Sequence, residues 1–437
     1  MGLMNLTKQR QSLGQRLFIN RDFGLLFLGR LVSQIGDGIH YLVLTWFVLD
    51  LTGSGTALGT MLFASSIPAV ILAPFSGVLA DTWNRKTIIV SMDIVRGLIM
   101  IVLAVIFQAG ALTMPVLYVA TIFSSLASVL FGPAISASIP NLVGQDELVK
   151  ANSLNNLSRG ATMIIGPLVG SILLALGGYF GVFLVTGISF LLSAVSEMFI
   201  RFPKIAAAEE NVENISAGQE FFNKLREGFV YIWNNTGLKM LVFYALIVNF
   251  LAAPLMGVVV PYLGKEIFKF EAQHFGMVQA AVPAGFIVGT LFMGYLTKKY
   301  GKGFLLALGI SSQGIIAVLL GLGALPRFYG SVSFLVLFYS MSIAMLIVGV
   351  LNTLVNVPLQ VMLQETVPDI FRGRVYGLMD GMVQVLTPIS LASSGVLVDN
   401  FTMTGILIFV GLLIAIVGLC LGASRSIREL YGEKVVV

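Results

Sequence analysis

Residues 77–86 read GVLADTWNRK, a short polar-tipped stretch between two long apolar runs. Gly77, Asp81, Arg85 and Lys86 fall in the spacing G-x-x-x-D-x-x-x-R-K. A glycine at the end of an apolar run lets two helices approach closely. A carboxylate four residues on suits a helix N-terminus or a basic partner. A related stretch, GYLTKKYGKG, returns at 294–303. A second echo links IPNLVGQDELVKANSLNNL at 139–157 with LQETVPDIFRGRVYGLMDG at 363–381. The two offsets, about 217 and 223 residues, agree closely enough to predict a duplicated unit.

The surroundings give that repeat its class. The 437 residues are 57% hydrophobic and 11% charged, with mean hydropathy +0.94. A soluble domain carries roughly 25% charged residues, so this composition excludes one. Apolar runs of about 20 residues, enough to cross a bilayer, recur along the chain. Spans are expected at 22–49, 55–80, 87–108, 113–138, 152–176 and 179–200, then at 238–262, 274–297, 303–325, 331–358, 374–398 and 402–423. The predicted fold is an all-α membrane protein, with twelve transmembrane helices in two pseudo-symmetric six-helix bundles. The expected boundaries are 1–200, a linker with an amphipathic helix at 201–237, and 238–437.

Basic residues set the orientation. Lys8, Arg10, Arg16 and Arg21 precede the first span, and Arg425, Arg428 and Lys434 follow the last. Arg85, Lys86, Lys150, Lys298, Lys299, Lys302 and Arg372 occupy even-numbered connections, whereas Lys265, Lys269 and Arg327 lie on the other side. Both termini and the middle segment are therefore expected in the cytoplasm. A single cysteine, Cys420, leaves no intramolecular disulfide and no multi-cysteine metal site. No G-x-x-x-x-G-K-[ST] phosphate loop and no H-E-x-x-H occur, so neither ATP hydrolysis nor a zinc hydrolase is expected, and no cofactor is implied.

The loop motif resembles the one between the second and third helices of the major facilitator superfamily, where it latches the outward-facing state. Asn84 stands where that family usually has glycine, and Thr82 where it usually has a basic residue. Span five carries RGATMIIGPLVG, with Gly166, Pro167 and Gly170, which is similar to the Gly-Pro motif of the family's antiporter branches. With NRDFGLLFLGRLVSQIGDG at 20–38, the whole chain resembles the branch that holds macrolide efflux pumps and the enterobactin exporter. That resemblance implies a bacterial plasma-membrane exporter of an amphipathic drug-like, macrolide-like or siderophore-like molecule, driven by proton antiport. Span four has no Arg or Lys, so the basic residue of many drug:proton antiporters is missing there.

In the first span Arg30, Gln34, Asp37 and Tyr41 step by four, three and four onto one face, with His40 beside Asp37. A charge at that depth costs roughly 2.5–3.5 kcal/mol on insertion scales, so it must face a partner or a water-filled cavity. Asp37 is expected to carry the coupling proton, with Arg30 as its switchable counter-ion; the alternative is a permanent ion pair. Asp93 and Arg96 at i, i+3 are expected to neutralise each other, as are Glu197 and Arg201 at i, i+4. Arg159 and Asp380 suit a gate network or helix-end pairing. Gln34, His40, Tyr41, Asn249, Asn352, Asn356 and Gln384 are candidate substrate contacts, with Met341, Met345, Met379, Met382, Phe63 and Phe123 as apolar lining.

A metal or metal-chelate exporter is the first alternative, since Asp37 and His40 are an O/N pair, but His274 is the only other histidine. A lysolipid translocator of the same fold is the second. The partners expected are a small molecule, protons and the lipid bilayer, with no nucleic acid, for a chain acting as a monomer.

Overall fold

The computed structural model describes residues 19–202 and 217–430, and every regular element among them is helical. Ten segments are long and apolar enough to cross a membrane. The expected twelve requires two more. One is helix α1 (Arg21–Thr52), whose 32 residues suffice for a crossing but whose polar stripe keeps it out of the ten. The other lies inside α5 (Leu148–Met198), 51 residues long against the roughly 20 that one crossing needs. That run breaks at Gly178 (φ 60°, ψ −170°), where a side chain would be strained. Two helices therefore join there without a loop, beside the junction the sequence places between spans five and six.

The remaining long helices are α2 (Gly55–Thr82), α3 (Arg85–Gln108), α4 (Met114–Leu142), α6 (Ala217–Asn234), α7 (Thr236–Pro254), α8 (Ala272–Lys299), α9 (Lys302–Gly323), α10 (Phe334–Thr366), α11 (Asp369–Val385), α12 (Thr387–Asn400) and α13 (Met403–Ala423). Span eleven, expected as one helix over 374–398, is α11 and α12, interrupted at Leu386. Pro388 opens α12, where its missing N–H is harmless. Past Pro254, α7 continues in two π-helical turns, Leu255–Val259 and Leu263–Ile267.

The chain forms two compact units, Met1–Val43 with Ile71–Glu209, and Leu44–Val70 with Glu210–Val437. The boundary between these units runs through α1 and α2.

In the first unit α1 lies against α5 with almost no space between backbones. A Cβ on Gly38 would come 2.9 Å from the Cα of Gly166, and one on Gly170 would come 3.1 Å from the Cα of Ile39. The Gly-Pro motif is thus the seam that lets these helices touch. Gly160 meets nothing within 4 Å and takes no part. The unit's core gathers Phe23, Leu26, Ile89, Phe131 and Ile135.

The loop motif ties helix ends together. Arg85 donates through Nη1 to the carbonyl of Ala137 (2.8 Å), and Lys86 donates to that of Ile200 (2.9 Å). Asn84 caps α3, its side-chain oxygen accepting from Thr87 N at 3.3 Å. The family's glycine is replaced by a residue that begins a helix well. The side chains of Gly77 and Asp81 lie outside the described residues.

The second unit repeats this device with different chemistry. Gly301 occupies the start of α9 as Asn84 does that of α3, and Lys302 pairs with Glu365 at the end of α10. The amphipathic helix expected in the linker is α6, packed on α11: Tyr231 stacks on Phe371 at 5.0 Å and Arg374 pairs with Glu227. The same unit includes the far end of α1 and the start of α2. Asp399 of α12 accepts from Gly55 N (2.7 Å), Thr56 N (2.9 Å) and Ser54 Oγ (2.6 Å). Asp50 pairs with Lys265, which also lies 4.4 Å above the Trp46 ring.

Candidate functional site

Two features can carry chemistry, one in each unit. The first is an ionic cluster on α1, α3 and the second limb of α5. Arg96 Nη1 donates to both carboxylate oxygens of Asp37, at 3.0 and 3.2 Å. Its Nη2 pairs with Asp93, whose other oxygen accepts from Ser33 Oγ at 2.5 Å. The guanidinium lies between the rings of Phe131 (4.4 Å) and Phe190 (4.6 Å), which stabilise a desolvated cation. Arg96 is 1% exposed and Asp93 is fully buried, whereas Asp37 keeps 47% of its side chain accessible. Arg96 thus has one fully buried partner and one that is open to solvent.

This arrangement corrects two expectations. Asp93 and Arg96 do meet, but Arg96 is also the counter-ion of Asp37, the place expected for Arg30. Arg30 makes no hydrogen bond or ion pair among the described residues, and its Nη1 is buried without a partner. Glu197 does not pair with Arg201. It is fully buried, close against Gly29, with one oxygen 3.4 Å from Ser193 Oγ and the other unpartnered. The backbone N–H of Arg201 donates instead to Asp22. Glu197 also lies in the field of Arg96, a placement hidden because an acid four residues before a basic residue reads as a helix-end pair.

The second feature is a cavity of about 350 Å³ in the second unit, between α7, α9, α10 and α13. Its walls are largely apolar, among them Met345 and Val248, and its polar groups are the Tyr244 hydroxyl and the amides of Asn249, Gln313, Asn352 and Asn356. Asn249 accepts from Thr387 Oγ1 (2.8 Å), and Asn356 donates to the carbonyl of Asn352 (2.9 Å). Mostly apolar walls with a few amides suit an amphipathic guest. Three of these amides were expected. Gln313 was not, although an amide inside the apolar run 303–325 is the same signal.

Other candidates lie elsewhere. Gln384, exposed on α11, does not line this cavity, and neither do Met341, Met379 and Met382. Gln34 accepts from Ser158 Oγ at 3.3 Å. His40 has a buried, unpartnered Nδ1, and Tyr41 is 42% exposed. Asp380 and Arg159 are exposed and make no ion pair among the described residues. Phe123 is 55% exposed. His274 sits edge-on to Phe334 (4.7 Å) and Phe338 (5.4 Å), an aromatic packing role.

Comparison with known proteins follows the same lines. Over 408 residues the chain is 21% identical to macrolide efflux protein A of Streptococcus pyogenes, spanning 93% of this chain and 97% of that one. It is 22% identical over 414 residues to the multidrug efflux pump Tap of Mycolicibacterium fortuitum, covering 93% and 96%. Among solved structures, the nucleoside transporter NupG superposes with a TM-score of 0.71 at 14% identity, over 92% of this chain and 98% of that one. Residues 26–391 match the Major Facilitator Superfamily. The chain belongs to that superfamily: it is a multi-pass membrane transporter and not an enzyme.

Proposed function

We propose that this protein exports an amphipathic small molecule across the bacterial plasma membrane, by alternating access and in exchange for protons. The observation that carries the reading is the ionic cluster. Three carboxyl groups, Asp37, Asp93 and Glu197, act on one guanidinium, that of Arg96. Ionised together they would leave surplus negative charge inside the membrane, at a cost of several kcal/mol. A proton held among them halves that surplus. Asp37, partly open to water, is the member able to exchange it. With the proton on, Asp37 releases Arg96 to Asp93; with the proton off, the pair re-forms.

The export direction is supported by the named relatives, macrolide and multidrug efflux proteins, and by the Gly-Pro seam between α1 and α5. The guest would occupy the amide-lined cavity through Asn249, Gln313, Asn352 and Asn356. Arg85 and Lys86, which tie together the basic-rich helix ends, would act in the latch with Gly77 and Asp81. The excess of Lys and Arg at those ends supports a cytoplasmic position for both termini and the 201–237 segment, and the repeat offsets support 1–200 and 238–437 as six-span halves.

The test is reconstitution in liposomes enclosing a pH-sensitive dye under an imposed pH gradient, with macrolides and other amphipathic drugs added singly. Substrate-dependent proton flux is expected. Substrate movement without proton flux would overturn the coupling.

A further inference from the structure

Arg30 is the most anomalous charge in the first unit. It is 9% exposed, its Nη1 is buried and unpartnered, and it makes no ion pair among the described residues. It lies nine residues into α1, about 14 Å along the helix axis from Arg21. Arg159 stands eleven residues into α5, about 16 Å from Leu148, and seven residues into the span expected at 152–176. Arg159 is exposed and also makes no hydrogen bond or ion pair through its guanidinium among the described residues.

The two helices are held in register there. Ser158, the residue before Arg159, donates to Gln34, one turn beyond Arg30, at 3.3 Å. Further along the same seam Gly38 meets Gly166. The like charge of Arg159 reaches Arg30, and among the described residues no carboxylate pairs with Arg30. Ser158 Oγ donates to the Asn155 carbonyl at 2.8 Å and lies 3.3 Å from the side-chain oxygen of Gln34, which keeps that amide beside Arg159. The patch therefore holds two guanidiniums and the Gln34 amide. Two like charges at this depth are costly without a counter-charge. Arginine suits oxyanions best, through its planar fork of donors.

We propose that Arg30 and Arg159, with Gln34, form a binding site for an oxyanion group — carboxylate, phosphate or sulfonate — on an amphipathic guest. The site stands apart from the Asp37–Arg96 cluster and does not depend on proton coupling. That the guest is a transported molecule rather than a lipid rests on the export reading, which equilibrium binding leaves aside.

The test uses matched fluorescent probes, anilinonaphthalene sulfonate and its uncharged analogue phenylnaphthylamine. Each is titrated into the full-length protein in phosphatidylcholine nanodiscs, with the signal of empty discs subtracted. Arg30→Gln and Arg159→Gln are each expected to weaken the sulfonate by about tenfold or more. The uncharged probe should be unchanged, and Arg30→Lys should recover part of the loss. Arg159 is exposed and unbonded, so its variant keeps the fold and the experiment decisive even if Arg30→Gln does not. Sulfonate binding that is unaltered in Arg159→Gln, or that falls equally for both probes, would overturn the site.

Repeating the titration in discs containing phosphatidylglycerol separates the sources of the anion. If the lipid displaces the sulfonate from wild type but not from Arg159→Gln, the site accepts a phospholipid headgroup. If the sulfonate persists, it accepts a soluble amphipathic anion.

Discussion

Arg96 grips Asp37 from a neighbouring helix, donating to its two oxygens at 3.0 and 3.2 Å while its other nitrogen holds Asp93. The two carboxylates are not equivalent, because Asp93 is buried and Asp37 is nearly half accessible. Arg96→Gln leaves Asp93 buried without its counter-charge, a loss of about 3–5 kcal/mol. Asp37→Asn leaves Arg96 paired with Asp93 and costs no more than about 1 kcal/mol, the accessible carboxylate being screened by water. Thermal unfolding in detergent separates the two variants, with a large fall in Tm for the first and a small one for the second.

The contact of Gly38 with Gly166 leaves no room for a side chain. Gly166→Leu should drive α1 and α5 apart and abolish recovery of monodisperse protein, whereas Gly160→Ala, with nothing within 4 Å, should behave as wild type. Size-exclusion profiles of the two variants check this directly.

Asp399 offers its carboxylate to the first turn of α2, taking bonds from Ser54, Gly55 and Thr56. Removing a capping acceptor costs about 1 kcal/mol, which corresponds to about a fivefold change in an equilibrium. Asp399→Ala should therefore raise the thiol-labelling rate of a cysteine placed at Leu51 about fivefold, in a background where Cys420 is replaced by serine. Asp399→Asn, which retains an acceptor, should change it less.

Within the cavity the amides differ in what else they hold. Asn249 accepts from Thr387, whereas Gln313 has no such bond among the described residues. Gln313→Ala should weaken binding of the uncharged probe phenylnaphthylamine by about tenfold and leave Tm within about 1 °C. Asn249→Ala should weaken binding and also lower Tm, since the Thr387 hydroxyl loses its partner.

The architecture was legible because hydropathy and basic-residue asymmetry are properties of the chain itself. The stripe carrying Asp37 and the amides Asn249, Asn352 and Asn356 could be read from helical spacing alone. The partner of Asp37 could not. Spacing reports neighbours on one helix, and Arg30 shares its stripe with Asp37, but the ion pair crosses to α3, where Arg96 looked spoken for by Asp93. Glu197 misled for the same reason. Its burial depends on Gly29, a residue on another helix that makes room for it. Asp399 carries no signal in the sequence, because its role as a cap belongs to a helix more than three hundred positions earlier in the chain.

The central claim is that Asp37 exchanges a proton as the guest is bound and released. It is tested most directly by saturating the purified protein with a compound found active in liposomes, in lightly buffered detergent, and following the pH. Wild type should release protons in proportion to the compound bound, and Asp37→Asn, still binding that compound, should release none. Equal proton release by wild type and Asp37→Asn would contradict the account and move the coupling group elsewhere.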